Sequence, residues 1–581
     1  MRLAFRLLSN LARLPLWPLY VLNRLLRRPR GGVVVVKLRP HIVELMRPLP
    51  FFVQWIPGIA RALPTSLVVL RRLADAIVAD PRVHTVVVEI PPLASGWASC
   101  VGVRDVLVRL RKGGKRVVTY LPEGGGNREL YVASASDRTL LAPQATVALL
   151  GFAAERHYFK PLLERFGLEV DVHARGDYKT AAESFSRETM SEPQREQTTA
   201  LLTTLDRALV GALCERPGMD EARARAAIEL GLLHGARAVE AGVVDAVCYA
   251  DELPAALTPD GQPRPTMVRA PRYLAWRERR FFRRVARRPY VAVIPVHGVI
   301  SQGSQDQGAR GASLDHVVSA IREAGLDRFA VGVVLHVDSP GGSALASDLI
   351  HRELVRLREK KPLVACFGDV AASGGYYVAA PASVIVAQPL TVTGSIGVIS
   401  AKLVATGALD KLGVRTETVR TSPHADMFSP SRALDEPERE MLERTTGAFY
   451  DTFVTVVAQG RGKPMHEIEA LARGRVWSGS DAKERGLVDR FGGLDTAVEE
   501  VLSRSRIPAP LRSLVEPALV LPGRRELPPP EPAAPARPAA FATPLELVLA
   551  SGLGGEVLDL ARLVSTRERV LAYALGLPRV L

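Results

Sequence analysis

The chain contains an internal duplication, which constrains its fold more than any other feature. A shift of 246 residues places Tyr131-Val-Ala-Ser-Ala-Ser on Tyr377-Val-Ala-Ala-Pro-Ala, and the copies end alike in Ala241-Gly-Val-Val-Asp and Arg485-Gly-Leu-Val-Asp. Short apolar, β-branched runs alternate with helix-like stretches in both copies. This alternation is typical of parallel βαβ units, so the sequence predicts two tandem α/β domains.

The two copies differ where chemistry would be carried out. At the same shift, Thr393-Gly-Ser-Ile-Gly replaces Val147-Ala-Leu-Leu-Gly, and Ser422-Pro-His-Ala replaces Gly176-Asp-Tyr-Lys. The second copy therefore has a serine without a matching lysine, and the first has a lysine without a matching serine. Two half-sites that complete each other predict one active site between the duplicated domains.

The composition favours a globular protein with a basic surface. The chain has 581 residues, 47% of them hydrophobic and 24% charged, and a formal net charge of +15. Basic residues cluster in residues 2–30 and 277–288. No nucleic-acid motif accompanies these patches, so we expect a membrane surface as partner and no nucleic acid. An arginine-rich composition without a specific partner is the alternative.

The cysteines give no sign of a disulfide framework. They are far apart in the sequence and form no CxxC pair, so they predict free thiols rather than disulfides or a metal site and leave the compartment open. The four are Cys100, Cys214, Cys248 and Cys366.

Residues 1–30 alternate arginine with leucine. Arg13, Pro15 and Pro18 interrupt the apolar stretch well before the roughly 18 residues that a spanning helix needs. The segment fits neither a clean signal peptide nor a spanning segment. We expect an interfacial amphipathic anchor, with Trp17 and Tyr20 at the acyl boundary. A degenerate, uncleaved anchor is the alternative.

Composition and repeats together divide the chain into five segments. They are a basic, hydrophobic, membrane-associating segment (1–64), the first repeat (65–260), a basic connector (261–288), the second repeat (289–506), and a Pro/Ala-rich linker with an amphipathic tail (507–581). Within the last segment, residues 545–563 and 567–575 are amphipathic. They form either a loosely packed tail or a docking element.

Three glycine-rich elements follow strands in the second repeat. Asp338-Ser-Pro-Gly-Gly-Ser either directs backbone amides toward an anion or simply makes a tight turn, and it lacks the patterns of nucleotide-binding loops. We interpret Ala372-Ser-Gly-Gly-Tyr-Tyr mainly as close packing of a helix on the sheet. The third element precedes a helix predicted to begin near Val398. It presents Ser395 either as an exposed nucleophile or as a helix N-cap.

A serine nucleophile needs a base, and no acid–His–Ser arrangement stands out in the second repeat. A lysine serves if burial lowers its pKa from roughly 10.4 toward neutrality. Lys179 follows an aromatic residue and lies among small neighbours in Gly176-Asp-Tyr-Lys-Thr-Ala. Taken alone it would be a solvated surface lysine. The second copy has a serine but no matching lysine, and this complementary pattern favours Lys179 as the base.

These motifs together resemble the signal peptide peptidase A (protease IV) family in its long, duplicated form. The resemblance covers residues 65–506 and rests on the motifs around Lys179, Asp338, Ser373 and Ser395, which follow the family's order. It implies an α/β fold of two tandem ClpP/crotonase-like domains, each a repeated ββα spiral. In this chain we expect a helical N-terminal segment and a Pro/Ala-rich C-terminal extension to flank them, and we assign the extension after residue 506 no counterpart in the family. It also implies a serine endopeptidase with a Ser/Lys dyad that cleaves hydrophobic peptides, such as released signal peptides.

The resemblance implies a role for individual residues. Ser395 would be the nucleophile and Lys179 the general base, and the backbone amides of Gly341 and Gly342 would form the oxyanion hole. A hydroxyl that orients the lysine is expected in the loop that replaces the lysine loop of the first copy, and we select Ser422. We expect no cofactor and no metal.

The resemblance also implies a cellular setting. Members are anchored in the bacterial cytoplasmic (inner) membrane, act on its outer or periplasmic face and assemble into oligomers. We therefore expect a homo-oligomer, with a tetramer as the preferred form. A peripheral or cytoplasmic location is the alternative, because the anchor is weak. Two other functions remain open, namely a crotonase-like acyl-CoA enzyme and an inactive oligomeric membrane scaffold.

Overall fold

The computed structural model describes residues 2–26, 28–29, 31–46, 63–258, 264–279, 281–282, 288–302, 311–520, 571–573 and 579–580. Most of the linker and tail predicted for 507–581 lies outside the described residues. The chain begins with helices α1 (Arg2–Arg13) and α2 (Trp17–Leu26), joined by a 3-10 turn at Leu14–Leu16.

Helix α2 is tied to the segment between the repeats. The Tyr20 hydroxyl donates to the carbonyl of Arg279 (2.8 Å), and the indole N–H of Trp276 donates to the carbonyl of Arg24 (3.1 Å). The leucines of this region nevertheless expose more than half of their surface: Leu8, Leu11, Leu14, Leu16, Leu19, Leu22, Leu25 and Leu26. Among the described residues, no helix is both long enough and apolar enough to cross a membrane.

The first half of the chain builds a parallel sheet covered by helices. The strands of this half, not all of which belong to that sheet, are β1 (Val33–Lys37), β2 (Ile42–Val43), β3 (Thr65–Ser66), β4 (Thr85–Glu89), β5 (Arg116–Leu121), β6 (Gly125–Gly126), β7 (Arg138–Leu141), β8 (Thr146–Ala148), β9 (Ala154–Glu155), β10 (Glu169–Arg175), β11 (Leu232–His234), β12 (Ala246–Val247) and β13 (Met267–Arg269). Its helices are α3 (Leu67–Val78), α4 (Trp97–Lys112), α5 (Asn127–Ala133), α6 (Lys160–Arg165), α7 (Glu183–Ser186), α8 (Glu192–Cys214), α9 (Glu221–Leu230), α10 (Ala236–Glu240), α11 (Leu253–Ala256) and α12 (Ala270–Glu278).

The second half repeats this pattern. Its strands are β14 (Tyr290–His297), β15 (Val299–Ser301), β16 (Gly311–Ser313), β17 (Ala330–Ser339), β18 (Gly341–Ser343), β19 (Leu363–Ala372), β20 (Val384–Ala387), β21 (Val392–Gly394), β22 (Val398–Val404), β23 (Val476–Ser478), β24 (Arg490–Phe491), β25 (Glu516–Leu519), β26 (Leu571–Tyr573) and β27 (Arg579–Val580). Its helices are α13 (Leu314–Leu326), α14 (Ala344–Arg358), α15 (Gly374–Ala379), α16 (Thr406–Lys411), α17 (Glu436–Arg461), α18 (Met465–Leu471), α19 (Gly479–Glu484), α20 (Leu494–Arg504) and α21 (Ala509–Arg512).

The order of the strands shows the duplication directly. The first sheet runs β12-β7-β5-β4-β1-β13, and the second contains the equivalent path β24-β20-β19-β17-β14-β25. Neighbours along both paths are parallel. Their apolar strands are buried because helices cover the sheet, as parallel sheets require.

Each sheet includes strands from outside the two predicted repeat segments. Strand β1 falls in the predicted N-terminal segment, β13 in the predicted connector and β25 in the predicted tail segment. In both halves the last strand of the sheet pairs with its first strand: β13 pairs with β1, and β25 pairs with β14. Each repeat thus closes its sheet with a strand that returns beside its first strand.

One ladder joins the repeats. Strand β10 of the first repeat pairs antiparallel with β22 of the second, from Glu169 opposite Val404 to Arg175 opposite Val398. Ala181, Ala182 and Ile399 form a small buried apolar cluster beside it. This ladder fixes the first repeat against the second next to the two chemically divergent loops.

Candidate active site

The structure brings the two half-sites together. The Lys179 Nζ lies 3.0 Å from the Ser395 Oγ, and it donates to the Ser395 carbonyl (3.0 Å) and to the Ser373 Oγ (2.8 Å). Lys179 is 4% exposed, Ser395 2% and Ser373 0%. A lysine of one repeat and two serines of the other therefore share one buried cluster.

The β10–β22 ladder sets this spacing. Its last pair is Arg175 with Val398, so the ladder ends four residues before Lys179 and three residues after Ser395. Gly176 makes the turn that follows, with φ +105°, and a Cβ there would lie 2.3 Å from the carbonyl carbon of Arg473. Only glycine tolerates both the backbone conformation and the close approach.

The segment 473–475 contacts both loops. The Tyr178 N–H donates to the Arg473 carbonyl (2.8 Å), and the Ser395 N–H donates to the Arg475 carbonyl (2.7 Å). Between them, Gly474 has φ +80°, and a Cβ on it would lie 2.5 Å from the backbone N of Lys179. This segment therefore holds the lysine loop and the serine loop at a fixed separation.

Helix α8 supports the lysine loop from the other side. The Gln197 Nε2 donates to the Thr180 Oγ1 (2.8 Å), and the Gln197 Oε1 accepts from the Val476 N–H (3.1 Å). One buried glutamine side chain thus joins the residue after Lys179 to the second repeat.

Both serines occupy turns with unusual backbone angles. Ser395 has φ +51° and Ser373 has φ +55°, a region that non-glycine residues seldom adopt. The two turns also bond to each other, because the Ser373 N–H donates to the Gly394 carbonyl (2.8 Å). Strained backbone of this kind is typical of functional sites.

The alternative interpretation of Ser395 as a helix N-cap is wrong. The residues that follow it form strand β22, not the helix predicted near Val398. The cause is the pairing with β10, which the local sequence does not show. Ser395 therefore has no helix to cap.

Burial lowers the pKa of Lys179 well below its ordinary value of 10.5. Removal from water disfavours the charged ammonium, because neutral hydroxyls and a carbonyl replace its solvation shell. A lowered pKa makes the neutral amine available closer to physiological pH. The neutral form is the one that can accept a proton from a serine hydroxyl.

The Gly-Gly loop forms strand β18. A Cβ on Gly342 would lie 2.1 Å from the Ile300 carbonyl oxygen, so a side chain is excluded there. The Gly341 N–H donates to the Ser339 Oγ (3.1 Å), and this hydroxyl donates to the Gly298 carbonyl (2.5 Å). Gly342 pairs with Ile300 of β15, so both glycines lie in the sheet, and both remain candidates for donating an amide to a developing anion.

The structure places Ser422 away from the lysine. Ser422 is exposed, whereas the buried hydroxyl on the Lys179 amine, apart from that of Ser395, belongs to Ser373. Sequence reasoning missed Ser373 because it assigned the Ala372-Ser-Gly-Gly element mainly to packing. Its position at a strand-to-helix turn, before two glycines, is a signal that could have identified it.

A separate cavity lies between the repeats, with a volume of about 260 Å³. His297, His336, Asp338 and Asp369 line part of it, and Lys179 and Ser395 do not. Burial, followed by the charge of Asp369, raises the pKa of Asp338 to about 6. This cavity is distinct from the serine–lysine cluster.

Within the described residues, one group has the spacing of metal ligands, formed by His424, Asp435 and Glu438. Arg432 already pairs with Glu438, and Asp435 caps helix α17 by accepting from the Glu438 N–H (2.9 Å). These contacts satisfy the carboxylates without an ion.

The fold and the site define a class of protein: a duplicated α/β chain that assembles one serine–lysine cluster from both repeats. The sequence pattern described as Peptidase family S49 matches residues 109–260 and 355–507, a little over half of the chain. The chain therefore belongs to Peptidase family S49. The first match contains Lys179, and the second contains Ser373 and Ser395.

Similar proteins carry related names. The chain is 31% identical over 436 residues to "Serine protease SPPA, chloroplastic" of Arabidopsis thaliana, covering 74% of this chain and 64% of that protein. It is 33% identical over 420 residues to "Protease 4" of Salmonella typhi, covering 69% and 66%. It is 33% identical over 220 residues to "Putative signal peptide peptidase SppA" of Enterococcus faecium, covering 37% and 64%. The matches thus span a little under two thirds of these relatives.

Proposed function

We propose that this protein is a serine endopeptidase with a Ser/Lys dyad that cleaves hydrophobic peptides, such as released signal peptides. One observation carries the proposal: a buried lysine amine lies 3.0 Å from a serine hydroxyl supplied by the other repeat. Family membership and the names of the relatives support the same reaction class. The name of the Enterococcus faecium relative supports the substrate class.

Ser395 is the nucleophile and Lys179 is the general base in this proposal. The neutral Lys179 amine accepts the Ser395 hydroxyl proton while the oxygen attacks the peptide carbonyl carbon. The resulting ammonium then donates its proton to the leaving amine, and the acyl group stays on Ser395. Water attacks the ester in the same way, Lys179 takes its proton, and the serine hydroxyl is restored.

The developing oxyanion needs donors that are already oriented. We assign this role to the backbone amides of the Gly-Gly loop, Gly341 and Gly342. Ser373 is a positioning residue, because its hydroxyl accepts from Lys179 at 2.8 Å without being the attacking group. It replaces Ser422 as our candidate for orienting the lysine.

The fold and the setting complete the proposal. We assign each repeat to the ClpP/crotonase-like ββα spiral and place the protein at the bacterial cytoplasmic membrane, with its catalytic domains on the outer face. The exposed leucines around helix α2 support contact with a membrane surface. We also propose that the protein forms a homo-oligomer, preferably a tetramer, and that nucleic acid is not among its partners.

The test is hydrolysis of an internally quenched hydrophobic peptide by the full chain. We expect Ser395→Ala and Lys179→Met each to lower kcat/KM by about 10³-fold or more, because each removes one half of the dyad. Lys115→Met is the matched control, since Lys115 is also buried but donates to the Asp80 carbonyl (2.8 Å) in the first repeat. It should keep the parental activity.

Three results would overturn the proposal. Peptide hydrolysis that survives both dyad substitutions would exclude the dyad. Acyl-CoA turnover without peptide hydrolysis would favour the crotonase-like alternative, and a parent inactive on both substrates would favour the scaffold.

A further inference from the structure

Strand β26 occupies a position between two strands of the candidate active site. Ala572 lies opposite Gly342 and Tyr573 opposite Gly341 in an antiparallel pair with β18. On its other edge, Leu571 lies opposite Ile399 of β22, also antiparallel. In the sheet order, β22 and β18 are both neighbours of β26 and not of each other. The chain thus inserts its own strand into a gap one strand wide.

Both borders of this gap belong to the proposed catalytic machinery. Strand β18 contains the two glycines assigned to the oxyanion hole, and β22 begins three residues after Ser395. An extended peptide that enters such a gap gains main-chain hydrogen bonds to both edges, whatever its side chains. The gap is therefore suited to a peptide strand, and residues 571–573 already fill it.

A second contact ties the same part of the chain to the first repeat. Strand β27 pairs antiparallel with β9, with Arg579 opposite Glu155 and Val580 opposite Ala154. The residue after β9 is Arg156, whose guanidinium donates to the carbonyls of Thr180 (2.9 Å) and Ala181 (3.0 Å). Strand β26 thus contacts the second repeat and strand β27 the first, each beside that repeat's contribution to the site.

We propose that strand β26 (residues 571–573), with strand β27 (residues 579–580) as a second attachment, acts as an intramolecular pseudosubstrate that a peptide must displace before it reaches Ser395. The inference rests on the proposed peptidase function. Because strand β26 belongs to the same chain as the gap, its pairing is intramolecular, and weak pairing is enough to fill the gap. A strand of three residues makes few hydrogen bonds, so a substrate with comparable main-chain contacts and an apolar side chain can compete with it.

The kinetic test uses the full chain with the double substitution Leu571→Pro/Ala572→Pro. Adjacent residues of a strand direct their backbone groups to opposite edges, so the two prolines remove donors toward both β18 and β22. The matched control is Ala539→Pro/Ala540→Pro in the Pro/Ala-rich segment. We expect the KM for the quenched peptide to fall at least about threefold in the first variant, with kcat within about twofold, because the competitor is tethered. The control should match the parent.

The binding test needs no catalysis. A fluorescent synthetic peptide of residues 568–581 is titrated against the full chain with Ser395→Ala, with and without the two prolines at 571 and 572. We expect saturable binding to the proline-containing chain and binding at least about tenfold weaker to the chain with its own segment intact, because the tethered copy competes.

The outcomes separate the two proposals. Equal binding to both Ser395→Ala chains would overturn the pseudosubstrate, and so would an unchanged KM in the proline variant of an active enzyme. Cleavage within 568–581 in the parent but not in Ser395→Ala would make the segment a substrate and overturn its inhibitory role. If no variant hydrolyses peptides, the peptidase proposal fails, and the binding test still decides whether the segment fills the gap.

Discussion

The Lys179 amine is held by oxygen atoms that carry no formal charge. Its hydrogen bonds within the described residues go to two serine hydroxyls and one carbonyl. Such an environment orients the amine but does not compensate a positive charge. The lowered pKa of Lys179 and its place beside Ser395 therefore have the same physical origin.

This origin predicts a pH dependence of stability. Between the lowered pKa of folded Lys179 and its ordinary value of 10.5, the unfolded chain binds a proton that the folded chain does not. The free energy of unfolding of the parent should therefore rise with pH in this window, by up to about 1.4 kcal/mol per pH unit. Lys179→Met lacks this contribution. If its free energy of unfolding exceeds that of the parent, the difference should therefore shrink as the pH rises.

Urea unfolding at several pH values from 7 to 10 measures this difference. If the free energies of unfolding of the parent and of Lys179→Met changed with pH in parallel, the Lys179 amine would have the same pKa in the folded and the unfolded chain, and the prediction would be wrong.

Ser373 should affect the rate through the lysine. Ser373→Ala and Ser373→Gly both remove the hydroxyl, but only glycine relieves the backbone at φ +55°. We expect both to lower kcat about 10- to 100-fold with little change in KM, because a misaligned base slows proton transfer. The acid limb of the pH profile should move to lower pH, because the ammonium loses an acceptor.

Steady-state kinetics across pH separates this role from packing. Loss of activity in Ser373→Ala alone would assign the effect to backbone strain, and two fully active variants would remove Ser373 from the site.

At this scale, part of the cluster could be predicted from the sequence. Lys179 and Ser395 were selected because each copy lacks what the other retains. Ser422 was selected by its equivalence to the lysine loop, but equivalence fixes a position along the chain and not the direction of a loop. Ser373 was missed because small residues before a helix are also typical of packing.

At the scale of elements, the parallel strands were predictable and the ladder between repeats was not. Runs such as Val331-Gly-Val-Val-Leu carry their own signal, because strands buried on both faces are continuously apolar. Strand β22 is different, since its partner β10 lies more than 200 residues earlier. The edge strand β13 is short and polar at one end, so its local sequence did not identify it.

The strands that lead into the divergent loops pair in the same way in both repeats. Strand β8 pairs parallel with β6 and antiparallel with β11, and β21 has the same relation to β19 and β23. The two repeats therefore keep the same framework around positions 147–151 and 393–397. The strand pairing is shared, but at the nucleophile position the backbone differs as well as the side chain, because Ser395 has φ +51° and Leu149 has no positive φ.

At the scale of the whole molecule, a carboxylate joins the repeats at a helix end. Asp369 of the second repeat accepts from the Ser99 N–H (2.8 Å), the Ser99 hydroxyl (2.9 Å) and the Gly96 N–H (3.2 Å) at the start of helix α4. Gly96 has no side chain to cap its own helix. Asp369 supplies the missing acceptor and a charge that the N-terminus of the helix favours.

Asp369→Ala should therefore weaken both stability and activity. We expect the free energy of unfolding to fall by about 1–2 kcal/mol through loss of the cap. We expect kcat/KM to fall as well, because the contact aligns the repeats that share the site. Asp220→Ala is the matched control, since Asp220 caps helix α9 within one repeat by accepting from the Arg223 N–H (2.8 Å).

Urea unfolding and peptide hydrolysis of both variants measure the two effects. Equal activity in the two variants would show that the Asp369 contact stabilises the chain without aligning the site.

The division of the cluster between repeats also limits how a second centre could arise. The positions equivalent to Ser395 and Lys179 are Leu149 and Ala425, one in each repeat. Leu149 is fully buried, so a hydroxyl there would be placed in an apolar core before any amine was present to use it. Two changes in distant parts of the gene would have to occur together, and either one alone brings no catalytic gain. Single substitutions therefore offer no gradual route from one centre for two domains to one centre in each.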